Sequence, residues 1–473
     1  MEYLSRLTKG MYNMRADHPL VRYGESLFLH QPFRLLKGVA GAYLAYPIAE
    51  SREQRNVRPK VAELRSHYRL PFAQRRQIAL ERLTGILQFA GEHVPYYRDL
   101  FREKQFDPVK AGQDPRYLQE LPYLTKDVIR EQGARLLSRP LEEVRHHACK
   151  TGGSTGLSCT IFYDQEAADY SSAVTFYARR RAGKHGYRSE LHFACRFPDA
   201  AVPQWPTRED FKCFAMNRSN IFFDRIDDAG LEEMWRTLKR RKPYLAHGHP
   251  STMYALACYI ERKCGSDKAF DVFESSGELL EPHQREVIAR ALRCRVINRY
   301  GLAELGVMAY ELDGHEGGFQ ILESEGWPEN RPIEDNSDGA SELVFTGFRN
   351  RLMPMIRYAT GDLAHVDSRE NGLFLTNVVG RIHDVVPING VAHPTHHIQD
   401  MLDHRIGGIQ EFQIDLRTSP PTLRIVLEPW ANEEETTKKL RGYWQDAFTI
   451  AYVGHDAFER VGRRAKFRHV VSA

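Results

Sequence analysis

The sequence predicts an α/β fold: a large N-terminal unit of alternating strands and helices, followed by a small α+β unit. Three observations carry this expectation. The chain has 473 residues, 42% of them hydrophobic and 27% charged, which is ample for more than one core and unlike a disordered chain. Short apolar strands alternate with amphipathic helices in the middle of the sequence, as in a layered α/β sheet. From about Gly380 the pattern changes to paired strands and one helix. The expected division is therefore 1–379 and 380–473.

The elements are read in chain order. Gly38 to Ile48 (GVAGAYLAYPI) is apolar but far short of the ~20 residues that cross a bilayer. It reads as a packed helix rather than a membrane-surface anchor, because Lys37 and Glu50 flank it without forming a basic face. From Phe72 to Ala90, apolar Ala79, Leu83, Ile86, Leu87 and Ala90 recur at helical spacing, with Gly91 as the expected stop and Pro95 beyond it. Thr125 can cap a helix running into Val128 and Ile129. Leu191 to Phe197 reads as strand, Glu232 to Lys239 as helix and Tyr244 to Ala246 as strand. Ser251 begins a helix through Met253, Leu256 and Ile260; Pro282 begins another through Leu292, leading into the strand Arg295-Val296-Ile297. In the last unit, Phe412 to Leu416 and Leu423 to Leu427 are strands joined through Thr418-Ser419-Pro420-Pro421, and a helix runs from Glu433 to Phe448. No internal repeat or low-complexity tract interrupts the chain.

Charge narrows the partners. Lys and Arg number 66 against 62 Asp and Glu, a net +4, so no nucleic-acid partner is expected. The basic runs Arg179-Arg180-Arg181 and Lys239-Arg240-Arg241-Lys242 read as solvated helix faces. Seven scattered cysteines without a Cys-x-x-Cys pair fit reduced thiols in a cytoplasmic chain. No export signal and no transmembrane segment are expected, and oligomeric state is not legible.

The most informative stretch is Thr151-Gly152-Gly153-Ser154-Thr155-Gly156. Glycines here let backbone N–H groups point into one concavity, and the Thr and Ser hydroxyls add donors, a composition suited to phosphate oxygens. A Walker loop would end in Gly-Lys-Ser/Thr, but Gly156 is followed by Leu157-Ser158. The segment also matches the Gly-x-Ser-x-Gly elbow of serine hydrolases, which must lead from strand to helix. The next residues, Cys159-Thr160-Ile161-Phe162-Tyr163, are β-branched and aromatic, so the loop is expected to join the strands of a hairpin.

This segment resembles the phosphate-binding loop of the acyl-adenylate-forming superfamily, and further segments resemble that family's motifs in order. They are Ser275-Ser276-Gly277-Glu278, Asn298-Arg299-Tyr300-Gly301-Leu302-Ala303-Glu304, Arg357-Tyr358-Ala359-Thr360-Gly361-Asp362, Gly380-Arg381-Ile382-His383-Asp384 and Arg464-Ala465-Lys466-Phe467-Arg468. Within the superfamily the chain is most similar to the phenylacetate-CoA ligase branch and its capsular-polysaccharide-type relatives. His93-Val94-Pro95-Tyr96-Tyr97, Leu121-Pro122-Tyr123-Leu124-Thr125-Lys126, Pro250-Ser251 and Met355-Ile356 carry that likeness. It covers roughly Val94 to the C-terminus and leaves the first sixty residues unexplained.

The resemblance implies a large adenylate-forming domain and a small mobile C-terminal domain, ATP and Mg²⁺ as ligands, and AMP-forming activation of a carboxylic acid. Acyl transfer to coenzyme A would follow. A polysaccharide- or natural-product-type amide ligase with an amine or amino-sugar acceptor is one alternative, and a non-catalytic nucleotide-binding scaffold is another. Thr151 to Gly156 would hold the phosphates, Tyr300 and Gly277 would flank the adenine, and Ser276, Glu278, Asn298 and Gly301 would belong to the same nucleotide site. Asp362 would take the ribose hydroxyls and Glu304 the Mg²⁺, a hard cation suited to carboxylate. Arg381 would support ribose or phosphate, and Lys466 would bridge the α-phosphate and the substrate carboxylate. The 247–251 turn would line the acyl pocket; as metal ligands, His247, His249, His393, His396 and His397 lack a cysteine or carboxylate at ligand spacing. Three positions depart from the family pattern: Ala303 replaces a hydroxyl residue, His383 the hinge aspartate and Ala465 a glycine.

Overall fold

The computed structural model describes residues 32–150, 159–196, 205–311, 318–332, 341–379, 385–454, 457–461, 466–467 and 469–472. Its frame is one mixed sheet, preceded by a hairpin of β1 (His146–Lys150) and β2 (Thr160–Asp164). The sheet strands are β3 (Glu190–Cys195), β4 (Arg218–Phe223), β5 (Leu245–Gly248), β6 (Val272–Ser275), β7 (Arg295–Leu302), β8 (Gly306–Tyr310), β9 (Phe319–Ile321), β10 (Gly326–Arg331), β11 (Ser341–Gly347), β12 (Tyr358–Arg369) and β13 (Gly372–Val379). They run in the order β10-β11-β12-β13-β9-β8-β7-β6-β5-β3-β4.

The two halves of this sheet differ for a physical reason. The strands from β3 to β7 pair in parallel, and helical crossovers between most of them bury both faces, so their residues read as short apolar runs. From β7 onward every pairing is antiparallel. β7 belongs to both halves: Arg295 to Asn298 lie beside β6 and Arg299 to Leu302 beside β8. The parallel half packs on Leu256, Ile260, Phe273, Ile288 and Leu292, and the antiparallel half on Met308, Ile321, Leu343, Phe345 and Leu375.

The helix expected from Phe72 continues to His93. Gly91 does not end it; a Cβ there would lie 2.8 Å from the Phe101 ring, so this glycine permits a close helix contact. Pro95 does the stopping, with Val94 driven to extended backbone before it. Thr125 caps the next helix as expected, accepting from Val128 N at 3.4 Å. The apolar N-terminal segment is helical over Phe33–Ala40 and Tyr46–Arg52, with a π-turn over Gly41–Ala45 just before Pro47. It packs by its small residues Gly38, Gly41 and Ala45. The opposite side leaves Leu36, Tyr43 and Leu44 at 58%, 57% and 65% exposure, so the expectation of a packed helix holds for one face only.

The C-terminal residues build a separate four-stranded sheet from Ile409–Asp415, Thr422–Leu427, Thr449–Tyr452 and Val470–Val471. Its own core includes Val386, Phe412, Ile425, Leu440 and Trp444. The helix there spans Glu433–Trp444, shorter than the sequence pattern suggested. Among the described residues no helix is long and apolar enough to cross a membrane, and six cysteines are free.

Candidate functional site

In an open parallel sheet, ligands bind beyond the carboxyl ends of the strands. That edge is where the motif segments gather. β5 ends at Gly248, whose carbonyl accepts from Ser276 N just beyond β6, at 3.2 Å. Gly277 has φ +86°, and a Cβ on it would meet the His249 ring at 2.6 Å, so only glycine permits this turn. Glu278, expected among the nucleotide-binding residues, has partners within the chain. It accepts from Ser251 N and Ser251 Oγ at 3.1 and 3.0 Å and lies 3.3 Å from His249 Nδ1. It ties the β6 turn to the helix Pro250–Cys264.

β7 supplies the next group. Asn298 is buried, and its Oδ1 accepts from Arg299 N at 3.0 Å. Tyr300 is 92% buried, lies against Phe319 and Phe345, and donates its hydroxyl to Asp362 Oδ2 at 2.9 Å. Burial, reinforced by the Asp362 charge, holds the Tyr300 phenol well above its ordinary pKa, so it remains a donor. Asp362 follows Gly361 at φ +77°, whose N–H is bound by Glu342. The two residues assigned to adenine and ribose are thus already coupled.

Glu304 sits just beyond β7, buried, with Tyr358 Oη donating to Oε1 at 2.5 Å and Lys126 Nζ 4.0 Å away. Lys126 arrives through Leu124, which pairs with the backbone beside Tyr358: Leu124 N donates to Arg357 O and Ala359 N to Leu124 O, both at 3.0 Å. Arg357 locks that junction by stacking 4.2 Å over Tyr123 and pairing with Glu329 at 2.9 Å. Sequence reasoning assigns no role to Lys126 or Tyr358, although both lie in segments that carry the likeness. A cavity of about 230 Å³ opens beside Glu304, lined also by Cys149, Tyr163, Ser171 and Ala303.

Cys149 and Tyr163 belong to the hairpin, whose register pairs Lys150 with Thr160. The strand-to-strand setting contradicts the nucleophile-elbow pattern, which needs a helix after the loop. Thr151 to Gly156, the candidate phosphate cradle, lie outside the described residues, as does Arg381. Lys466 forms a two-residue strand with Phe467 against Arg460–Val461; only its backbone belongs to the described part. No group of three or more metal-ligating side chains occurs among the described residues. Mg²⁺ needs no such cage, since it commonly binds one or two carboxylates together with substrate phosphates. The buried Glu304 carboxylate beside the hairpin fits that donor set.

Between the helix Gln165–Arg181 and the strands β3, β5, β6 and β7 lies a buried ionic cluster that the sequence did not foretell. Arg179 pairs with Glu274 at 2.7 Å and with Glu190 at 3.0 Å, and Lys184 reaches the other Glu190 oxygen at 3.1 Å. Arg299 lies 3.5 Å from Glu274 and donates to Ser276 Oγ at 2.9 Å. His247 and His192 face Glu274 and Glu190 at 3.0 and 3.2 Å. Burial works to raise both carboxyls, but Arg179 and its neighbours outweigh it and hold them well below the carboxylate range. Burial pushes His192 down to about 3 and also lowers His247, so both rings are neutral near pH 7. The run Arg179 to Arg181, read as a solvated face, is thus corrected at its first member: Arg179 is 97% buried.

A scan against protein-family models matches none. Among curated proteins, the chain is 24% identical over 315 residues to Protein CapK of Staphylococcus aureus, covering 64% of this chain and 67% of that one. It is 27% identical over 337 residues to a phenylacetate-coenzyme A ligase of Pseudomonas putida, covering 67% and 72%. It is 26% identical over 333 residues to that of Escherichia coli, covering 66% and 72%. Among solved structures, 2-hydroxyisobutyryl-CoA ligase in complex with 2-HIB-AMP and CoA aligns with a TM-score of 0.53 at 18% identity, covering 85% of this chain and 90% of that one. An open conformation of the same ligase aligns at 0.51; at this identity the likeness concerns the fold. In sequence the chain is thus similar to the phenylacetate-CoA ligase-like branch of the acyl-adenylate-forming enzymes, and it shares their fold.

Proposed function

We propose that the protein is an ATP-dependent, AMP-forming acid ligase that makes an acyl-adenylate from a carboxylic acid and passes the acyl group to coenzyme A. The observation that carries this reading is the convergence of Gly277, the Tyr300–Asp362 pair and Glu304 at the carboxyl edge of the parallel strands, beside the hairpin that leads into Thr151 to Gly156. In the first step a carboxylate oxygen of the acid bonds to the α-phosphorus and pyrophosphate leaves. In the second a thiolate sulfur bonds to the acyl carbon and AMP leaves.

Both steps gather negative charge, so the residues act chiefly by positioning and neutralisation. Asp362 would hold the ribose hydroxyls, its second partner Tyr300 fixing the carboxylate's direction. Glu304 would hold Mg²⁺, which supplies charge neutralisation on the phosphates when bound, while Lys126 adds a fixed ammonium beside it. Thr151 to Gly156 would cradle the phosphates. We assign residues 380–473 to a second domain that reorients about Arg381 and delivers Lys466 to the reacting carboxylate; the separate sheet and core of that region support the division. ATP and coenzyme A are cytoplasmic substrates, and the reading places the enzyme in that compartment.

A screen of carboxylic acids with ATP, Mg²⁺ and hydroxylamine, repeated with coenzyme A and with amine acceptors, tests the function. Hydroxamate and pyrophosphate formation, with thioester when coenzyme A is added, is the expected outcome. Amide formation alone would move the acceptor, and no pyrophosphate from any acid would overturn the reading. Lys466→Ala is expected to abolish pyrophosphate release while ATP still binds; undiminished turnover would remove Lys466 from the mechanism.

A further inference from the structure

A cavity of about 340 Å³, at the small end of ligand sites, lies over the buried ionic cluster. His192, His247 and Arg299 reach it from β3, β5 and β7, and Arg179 and Thr175 from the helix Gln165–Arg181. Tyr46 of the N-terminal helix meets Phe176 edge-on at 5.6 Å on its wall. Ser171 lines both this cavity and the one beside Glu304, so the two chambers adjoin.

Its charge does not balance. Arg179, Lys184 and Arg299 share two carboxylates, Glu190 and Glu274, among the described residues. The histidines that face those carboxylates add nothing to the negative side. Lys212 and Arg218, also on its wall, share Glu209. Arg55 pairs with Asp169, and the two carboxylates that line the cavity, Glu50 and Glu53, are taken by Arg58 and Arg208, so they do not offset the cluster. A buried cation without a full partner is costly, and the cost is relieved by an anion brought in by a ligand.

We propose that this cavity is the acyl chamber of the chain and that Arg299 selects a carboxylic acid carrying a second anionic group, carboxylate or phosphonate-like, at the end remote from the reacting carboxylate. This rests on the acid-activating reading. With the reacting carboxylate beside Glu304, the acyl chain passes Ser171 and its far anion meets Arg299, which is held in place by Ser276 Oγ. Thr175 and the neutral imidazoles of His192 and His247 offer further hydrogen bonds. An apolar acid of equal length would displace water from the cluster and leave Arg299 short of a counter-charge. Sites built for a polar group reject analogues lacking it by large factors.

The experiment compares succinate with butyrate, glutarate with valerate, and 3-phosphonopropionate with butyrate, in hydroxylamine trapping and in thermal melting of the full chain with each acid and ATP. The dianionic acid is expected to exceed its monoanionic partner in kcat/KM by ~10²-fold or more and to raise the melting temperature. Which of succinate or 3-phosphonopropionate is preferred identifies the anion. Arg299→Leu should lose or reverse the preference, and Arg299→Lys should retain most of it. Equal use of butyrate and succinate by the wild type, or an unchanged preference in a folded Arg299→Leu, overturns the proposal. Activation of phenylacetate with no diacid activated overturns it while leaving the ligase reading intact. Failure of every acid, with no melting shift, removes both.

Discussion

The Glu304 carboxylate accepts from Tyr358 and lies 4.0 Å from Lys126 Nζ. Glu304→Gln preserves size and the acceptor for Tyr358 but deletes the charge. Pyrophosphate release should fall by ~10²-fold, with a higher Mg²⁺ requirement; a Mg²⁺ titration in which mutant and wild type coincide would refute the role. Asp362→Ala leaves the buried Tyr300 hydroxyl without its acceptor, a penalty of about 1–3 kcal/mol. ATP affinity should fall about tenfold or more, and adding Tyr300→Phe should restore part of the folding stability, as unfolding titrations of the single and double variants will show. His192 gives a pH signature. Burial holds it at about 3 when folded against 6.5 for the ordinary ring, so below pH 6.5 the unfolded chain takes up the proton first. The His192 contribution to stability is complete above pH 6.5 and is lost as pH falls toward 3, by up to about 1.4 kcal/mol per unit. Urea unfolding at pH 7 and pH 5 should show a smaller loss for His192→Asn than for wild type. At this scale the motif residues were legible in the sequence, because short backbone signatures such as Ser-Gly-Glu and Thr-Gly-Asp are local. Arg299 lay in full view inside one of them and Arg179 inside a basic run, yet nothing local reveals that both turn inward onto Glu274.

Elements show the same division between local and non-local causes. Helix starts were readable from Pro282 and from Thr125, which satisfy or lack N–H groups at the first turn. Gly91 misled, since a glycine that ends a helix and one that admits a neighbouring ring look alike in one dimension. Gly38 repeats the lesson in the N-terminal segment: a Cβ there would lie 2.1 Å from Tyr187 O. Gly38→Ala should therefore lift this helix from the body. We expect a destabilisation of about 1–3 kcal/mol and faster proteolysis within residues 32–55, measured against a thermal melt. A melt and digestion identical to wild type would show that the contact is not tight.

At the scale of the whole molecule, among the described residues, a tie joins the β1–β2 hairpin to the C-terminal region. Lys150 Nζ binds Asp403 Oδ1 and Ile409 O, each at 2.7 Å. Both side chains are partly exposed, so the pair is worth only about 0.2–1 kcal/mol. That is too little to lock a domain and enough to shift its populations several-fold. If the proposed domain reorientation holds, Lys150→Met should change the ratio of thioester formation to pyrophosphate release without lowering the melting temperature appreciably; an unchanged ratio would detach this tie from that proposal. By itself the sequence determined the α/β class, the order of the motifs and the small terminal module, because periodicity, caps and glycine turns act over a few residues. The mixed character of the sheet, the shared use of β7 and the buried ionic cluster around Glu190 and Glu274 were decided only in three dimensions. Strand partners and ion pairs there join residues far apart in the chain, and only the tertiary fold brings them together and buries them.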